Sequence, residues 1–265
     1  MPFATLRDVR LYYELRPGPA GRRLLFLNGT GGDLREKPSP LEWPLARHFE
    51  LLAHDQRGLG QSDKPDRAYR MSDYAADALA LLDHVGWDRC RVLGVSFGGM
   101  VAQELALTAP ERVERLVLAC TSPGGAGGSS YPLHELARRP PEEQARIGLE
   151  LLDGRGAAAG PALLALAAEM AKRRGAGAAD PEREIGARRQ LEARAGHDCW
   201  ERLPRLAMPV LIAAGRYDAM APLANQEAMA RRIPNARLEV FEGGHVFFLQ
   251  DPRALRAIGD FLREG

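Results

Sequence analysis

The sequence predicts an α/β fold, a mostly parallel eight-stranded sheet with helices on both faces and a helical lid inserted before the last two strands. Three observations support this. Short continuous apolar runs, the mark of strands covered on both faces, alternate with stretches of helical periodicity. Most of these runs end in loops rich in glycine and polar residues. One long stretch, residues 121–206, carries helical signals and no strand signal.

In chain order, residues 3–14 alternate, with Leu6, Val9, Leu11 and Tyr13 set against Arg7, Asp8, Arg10 and Tyr12, as expected of an antiparallel hairpin with one buried face. Leu24 to Leu27 and Phe49 to His54 read as buried strands. They end in Asn28-Gly29-Thr30-Gly31-Gly32-Asp33 and in Asp55-Gln56-Arg57-Gly58-Leu59-Gly60-Gln61-Ser62. Met71 to Val85 places Tyr74, Ala75, Ala78, Leu81, Leu82 and Val85 at helical spacing and stops at Gly86, a C-cap residue. A further strand runs into Ser96, and a helix follows from Phe97 or Gly98 to about Ala109, where Pro110 ends it. Val113 to Cys120 is the next strand.

Between Thr121 and about Leu206 the alternation stops. Gly124 to Ser130 reads as a flexible hinge, followed by Ala-, Arg- and Glu-rich helical segments. The arginines there are nearly matched by acids, which favours a solvated helix surface over an anion-binding face. Strands resume at 210–214 and 238–241 with a helix from about Leu223 to Ile233 between them, and Pro252 to Leu262 is a final amphipathic helix. The expected organisation is a core of 1–120 and 207–265 with an inserted lid of 121–206.

Composition narrows the function. The 265 residues suffice for one large α/β domain. With a formal net charge of +1 there is no basic field to recruit nucleic acid or anionic lipid, so the expected partner is a small molecule, with self-association into a homodimer left open. Cys90, Cys120 and Cys199 are odd in number and far apart, which argues against a disulfide framework or zinc site and suits a reducing cytoplasm. No signal-peptide h-region and no apolar run of membrane-spanning length is present.

The chemistry gathers at the strand ends. Gly94-x-Ser96-x-Gly98 joins a strand to a helix, the context in which a serine takes a strained turn and stands exposed as a nucleophile. A serine hydroxyl needs an imidazole to accept its proton and a carboxylate to orient that imidazole. Gly215-Arg216-Tyr217-Asp218 and Glu242-Gly243-Gly244-His245 follow later strands and supply both, in the order Ser96, Asp218, His245. Loops leaving the carboxyl ends of parallel strands share one edge, so the three can meet.

As a set, these motifs resemble the α/β-hydrolase superfamily over nearly the whole chain. The loops at 28–31 and 55–62, Gly98-Gly99-Met100-Val101-Ala102 and the compact lid are similar to its 3-oxoadipate enol-lactonase and small-esterase branch, although Asn28-Gly29 stands where many relatives have His-Gly. The resemblance implies a cofactor-free serine esterase or lactonase acting through an acyl-enzyme on Ser96, with the Thr30 and Phe97 backbone N–H groups as oxyanion hole and no metal. Asn28, Gly29, Trp43, Met100, Trp200, Met220, Val246 and Phe247 are candidates for the substrate pocket. The same triad also serves ligand receptors with slow turnover, perhydrolases and C–C bond hydrolases, which stay open as alternatives.

Bland readings compete at each position. Asp218 could cap the helix near Pro222, and His245 could be a loop histidine. His48, His54, His84, His134 and His197 read as structural or solvated, and Asp55 with Arg57 as an ion pair or loop brace. A dinucleotide site at Gly29-x-Gly31 with Asp55 fails, because Leu34 takes the third glycine position and Pro38, Pro40 and Pro44 follow it.

Overall fold

The computed structural model describes residues 2–37, 39–177 and 181–264; Met1, residues 178–180, Gly265 and Pro38, one of the prolines invoked above, lie outside the described residues. The hairpin forms from β1 (Phe3–Leu6) and β2 (Val9–Arg16). The parallel strands are β3 (Arg23–Leu27), β4 (Glu50–His54), β5 (Cys90–Val95), β6 (Val113–Ala119), β7 (Val210–Gly215) and β8 (Ala236–Phe241). The sheet order is β1-β2-β4-β3-β5-β6-β7-β8, with β2 antiparallel to β4. From β3 the chain moves outward to β4, then crosses back to lay β5 on the other side of β3. The strand order therefore reverses between β3 and β5, the switch point where a crevice opens at the carboxyl ends of an open parallel sheet.

The helices are α1 (Met71–His84), α2 (Phe97–Thr108), α3 (Leu133–Leu136), α4 (Pro141–Leu152), α5 (Pro161–Gly177), α6 (Pro181–Ala195), α7 (Leu223–Arg232), α8 (Phe247–Gln250) and α9 (Ala254–Arg263). Strand periodicity divides the core in two. Leu25, Leu27 and Val92 face one cluster with α1, α2 and α7, whereas Leu24, Phe26 and Leu93 face another with α9 and the turns at 40–48. Every residue of α2 from Phe97 to Leu107 is buried, and its two polar members are satisfied there, Gln103 by the Gly99 carbonyl and Glu104 by Arg202. The Asp73 carboxylate takes the Arg70 N–H at the start of α1 (2.9 Å), and the Trp87 N–H closes its end onto Leu82 O (2.8 Å).

Three expectations change. The glycine-rich run after β6 is a packed turn and not a loose hinge: Gly124 bridges to Asp198, and a Cβ on Gly127 would stand 2.1 Å from Trp200 Cε3. Glycine serves close approach there, not flexibility. Of the two readings of Asp55 and Arg57, the ion pair does not form and Asp55 is a loop brace. Arg57, fully buried, grips Asp77 at 2.6 and 2.7 Å, while Asp55 accepts the Leu34 and Gln61 N–H groups at 2.7 and 2.8 Å. The last helix starts at Ala254, because the Asp251 carboxylate takes the Arg253 N–H (3.0 Å) and makes Pro252 and Arg253 its entry turn. Cys90, Cys120 and Cys199 are free and buried.

Candidate active site

Ser96 sits between β5 and α2 with φ 55° and ψ −115°, a conformation costing about 1–3 kcal/mol for a residue with a side chain. Its surroundings hold it there. The Ser96 N–H donates to Ala119 O (2.8 Å), and Thr121 Oγ1 donates to the Ser96 carbonyl (2.8 Å). Small flanks are obligatory: a Cβ on Gly94 would lie 2.4 Å from Gly98 O, and one on Gly98 would lie 2.0 Å from Leu27 O. The elbow glycines thus let α2 lie against β5 and β3 at once.

Asp218 follows β7 and His245 follows β8, and both reach Ser96. His245 Nε2 is 2.9 Å from Ser96 Oγ, and His245 Nδ1 is 3.0 and 2.9 Å from the two Asp218 oxygens. Asp218 Oδ1 also accepts the Met220 and Ala221 N–H groups (2.9 and 2.8 Å), so Asp218 turns its own loop as well as facing the imidazole. A carboxylate already serving as acceptor requires the hydrogen on Nδ1, which leaves Nε2 to receive the Ser96 hydroxyl proton. The three residues are buried, at 5–7 % exposure, in surroundings dry enough to strengthen their hydrogen bonds.

The loop after β3 lies alongside. Asn28 Oδ1 takes the Gly29 N–H (2.9 Å), Asn28 O takes Gln56 Nε2–H (2.8 Å), and the Gly31 N–H goes to Gln190 Oε1 (2.9 Å). Between these occupied groups, the Thr30 N–H has no partner among the described residues, nor has the Phe97 N–H at the start of α2. Asn28 therefore braces the loop.

Other predicted pocket residues divide. Met100 lies one turn along α2 from Ser96 and lines a cavity of about 270 Å³. Gly29 comes within contact of Ser96, since a Cβ built there would lie 3.5 Å from Ser96 Cβ. Met220 follows the Asp218 turn, its carbonyl accepting the Tyr131 N–H, and Val246 caps α8 beside His245. Trp43, Trp200 and Phe247 are corrections. Trp43 packs between Phe26 and Phe248, and Phe247 is fully buried and stacked on Phe241. Trp200 lies under the Arg232 guanidinium and against Gly127. All three are packing residues, because bulky apolar groups near strand ends also close the ends of the core.

Sequence reasoning missed what the segment between β6 and β7 brings to the site. The carbonyl of Leu152, at the end of α4, accepts the His245 N–H (2.7 Å), and α6 supplies Gln190. It also misread one arginine of this segment. Arg188 and Arg189 do sit on a solvated face paired with Asp66, but Arg194 is buried, and burial pulls its guanidinium down to about 10. The adjacent His197 and Cys199 do meet, at 3.7 Å, yet burial pushes the thiol up to about 12 and it donates to Gln103 Oε1. That cysteine is a hydrogen-bond donor and not a nucleophile at neutral pH. His54 is buried on β4 and pushed down to about 4 by desolvation. Among the described residues, no cluster of His, Cys, Asp and Glu could hold a metal ion, and no helix is long and apolar enough to cross a membrane.

Comparison with known proteins agrees with this architecture. Residues 22–252 match the model of the alpha/beta hydrolase fold family. The chain is 33 % identical to a poly(3-hydroxyalkanoate) depolymerase of Ectopseudomonas oleovorans, over 92 % of its own length and 85 % of that protein. It is 28 % identical to 3-oxoadipate enol-lactonase 2 of Acinetobacter baylyi, over 94 % and 91 % of the two chains. Among solved structures, a hydrolase from Pseudomonas aeruginosa PA01 superposes with a TM-score of 0.80 at 32 % identity, covering 99 % of this chain and 98 % of the other. The chain belongs to the α/β-hydrolase family and is a hydrolase.

Proposed function

We propose that the protein cleaves a small or medium carboxylic ester or lactone through an acyl-enzyme on Ser96, without a cofactor. The observation that carries this reading is the continuous hydrogen-bonded line from Asp218 through His245 to Ser96 Oγ on a strained strand-to-helix turn. In this reading Ser96 Oγ attacks the carbonyl carbon while its proton passes to His245 Nε2. The resulting oxyanion faces the free Thr30 and Phe97 N–H groups, each worth about 2.7–4 kcal/mol of barrier if lost. Collapse breaks the acyl C–O bond, and His245 returns the proton to the leaving alkoxide. Water then attacks the acyl-enzyme with His245 again as base, releasing the carboxylic acid and restoring Ser96.

The similarity to an enol-lactonase and a polyester depolymerase, both names of oxoester chemistry, favours esters and lactones within the hydrolases. The test is hydrolysis of p-nitrophenyl butyrate and a panel of lactones by wild type and Ser96→Ala, with fluorophosphonate labelling mapped by mass spectrometry. Activity retained in Ser96→Ala, or label on another residue, overturns the assignment.

A further inference from the structure

The lid helix α6 lies on the core through one stripe of residues a helical turn apart, Gly186, Gln190 and Arg194. A Cβ on Gly186 would stand 1.9 Å from Gly58 O, so that turn touches the loop after β4. One turn on, Gln190 holds the Gly31 N–H beside the Thr30 donor. One turn further, Arg194 enters the cavity of about 270 Å³ whose lining includes Met100, Ser129, Ser130, His134 and His197. On the opposing helix, Met100 is itself one turn from Ser96.

Arg194 is 6 % exposed and, among the described residues, is in contact with no carboxylate. One of its donors, Nη1–H, goes to Tyr131 O (2.6 Å), which anchors the guanidinium to a segment held in turn by Met220 O. Its Nε–H has no partner among the described residues, and the same holds for Gln190 Nε2 one turn before. Among the described residues, the cavity lining contains no Asp or Glu. A buried arginine is normally paired, because removing a charge from water without compensation is costly. Here the fold supplies the donors and withholds the acceptor. Even with burial weakening its hold on the proton, the guanidinium stays cationic at neutral pH.

We infer that this cavity is a subsite for a carboxylate carried by the substrate, with Arg194 as its anchor. The inference rests on the esterase or lactonase reading of Ser96 and narrows it to substrates with a free carboxylate. A guanidinium offers a carboxylate parallel N–H donors, and Ser129 and Ser130 line the same space. Met100, one turn along α2 from Ser96, lines the same cavity as Arg194, so an acyl chain that starts at Ser96 and follows that turn carries its far carboxylate toward the guanidinium. Glutarate, whose carboxyl carbons stand about 5 Å apart, the rise of one helical turn, is the probe of that reach.

The test compares the p-nitrophenyl hemiester of glutarate with neutral p-nitrophenyl hexanoate. In wild type, kcat/KM for the hemiester should exceed that for hexanoate by about 10-fold or more, as expected of a charge-assisted hydrogen bond. Arg194→Met should lower the ratio of the two kcat/KM values by about 10- to 100-fold, mainly through KM for the hemiester, and Arg194→Lys should recover part of it. A ratio unchanged by Arg194→Met, or a wild-type ratio at or below unity, overturns the subsite. Calorimetry of glutarate binding to Ser96→Ala protein separates the two readings, since it needs no turnover. Glutarate bound by Ser96→Ala but not by the Ser96→Ala/Arg194→Met protein, with no ester cleaved by wild type, upholds the subsite and removes the ester reading. Brisk hexanoate hydrolysis without glutarate binding does the reverse. If Arg194→Met does not fold, the wild-type ratio and competitive inhibition of hexanoate hydrolysis by glutarate decide alone, with absence of either counting against the subsite.

Discussion

Replacing Gly186 by alanine tests whether α6 holds in place the Thr30 loop, proposed above to supply an oxyanion donor. A Cβ at this position would lie 1.9 Å from Gly58 O and 2.7 Å from its carbonyl carbon. A carbon–oxygen contact needs about 3.3 Å, so α6 must lift by roughly 1.4 Å along that line. Both obstacles are backbone, and no flexible side chain can yield. One turn away, the 2.9 Å bond from the Gly31 N–H to Gln190 Oε1 would stretch beyond hydrogen-bond range. Overpacking of this kind costs about 1–3 kcal/mol, while the helix preference of Ala over Gly returns about 0.8–1.0 kcal/mol. The net loss of zero to about 2 kcal/mol lowers Tm by at most about 8 °C in a chain of this size. Reactivity has no such compensation, because an unlatched loop misaims the Thr30 N–H. Partial loss of a donor worth about 2.7–4 kcal/mol should slow acylation by about 10-fold or more. Stopped-flow acylation with p-nitrophenyl butyrate measures this, with melting followed in parallel. The control is Gly196→Ala, where the new Cβ would meet nothing closer than Ala193 O at 3.7 Å and should change neither quantity. Acylation by Gly186→Ala at the wild-type rate would refute the latch.

Ser96→Gly and Ser96→Ala should both be inactive toward p-nitrophenyl esters, but the glycine variant should melt higher by the equivalent of about 1 kcal/mol, since it relieves the strain at φ 55°; thermal scans of the pair measure it. Asp218→Asn should lower kcat by about 10⁴-fold with little change in KM, because an amide can force the wrong imidazole tautomer; steady-state kinetics checks this. His54, buried and held at about 4 in the folded protein against 6.5 for the free side chain, binds a proton more readily when unfolded. Its depressed value means stability is retained above about 6.5 and lost as pH falls toward 4, by about 2 kcal/mol between pH 7 and 5. His54→Phe, which removes a buried unpartnered Nδ1, should flatten the fall of Tm across that interval. Asp55, raised to about 6 by burial, acts in the opposite sense: the folded state prefers its protonated form, so its contribution declines as pH rises from about 4 to 6. The His54→Phe difference isolates one slope from the other.

How legible these features are in the sequence depends on what each residue type signals. Gly94 and Gly98 around Ser96 were readable because a strained turn and a close helix–strand approach both demand glycine, whichever chain carries them. Asp218 and His245 were readable because the chemistry restricts the residue types and strand ends fix their place. The run from Gly124 to Gly128 was not, because glycine marks flexibility and tight packing alike, and only Trp200, His197 and Asn225 pressed against it decide between them. Trp43 and Phe247 failed similarly, since an apolar residue near a strand end can line a pocket or plug a core. Arg194 was hidden by its neighbours. Arg188, Arg189 and Glu192 give α6 a solvated character on average, and the stripe that docks is visible only as the spacing Gly186, Gln190, Arg194, whose smallest member gives no hydropathy signal.

The same contacts explain why the insertion and the chemistry cannot vary independently. Each loop of the candidate site is tied to the segment between β6 and β7 by at least one hydrogen bond. Thr121 Oγ1 holds the Ser96 carbonyl, Gln190 holds the Gly31 N–H, the Tyr131 N–H holds Met220 O beside Asp218, and Leu152 O holds the His245 N–H. Two of these four bonds, those of Tyr131 and Leu152, use a backbone group of the segment, so they survive changes of its side chains but not of its path. Substitutions on exposed faces of α4 and α6 should therefore leave reactivity alone. Insertions or deletions that shift the register of α4 would move the support of His245, and those that shift α6 would displace Gln190 from the Gly31 N–H and Arg194 from the cavity together. A segment that chooses the substrate through Arg194 thus also sets the geometry of the groups that attack it, and selection on one acts through the backbone of the other.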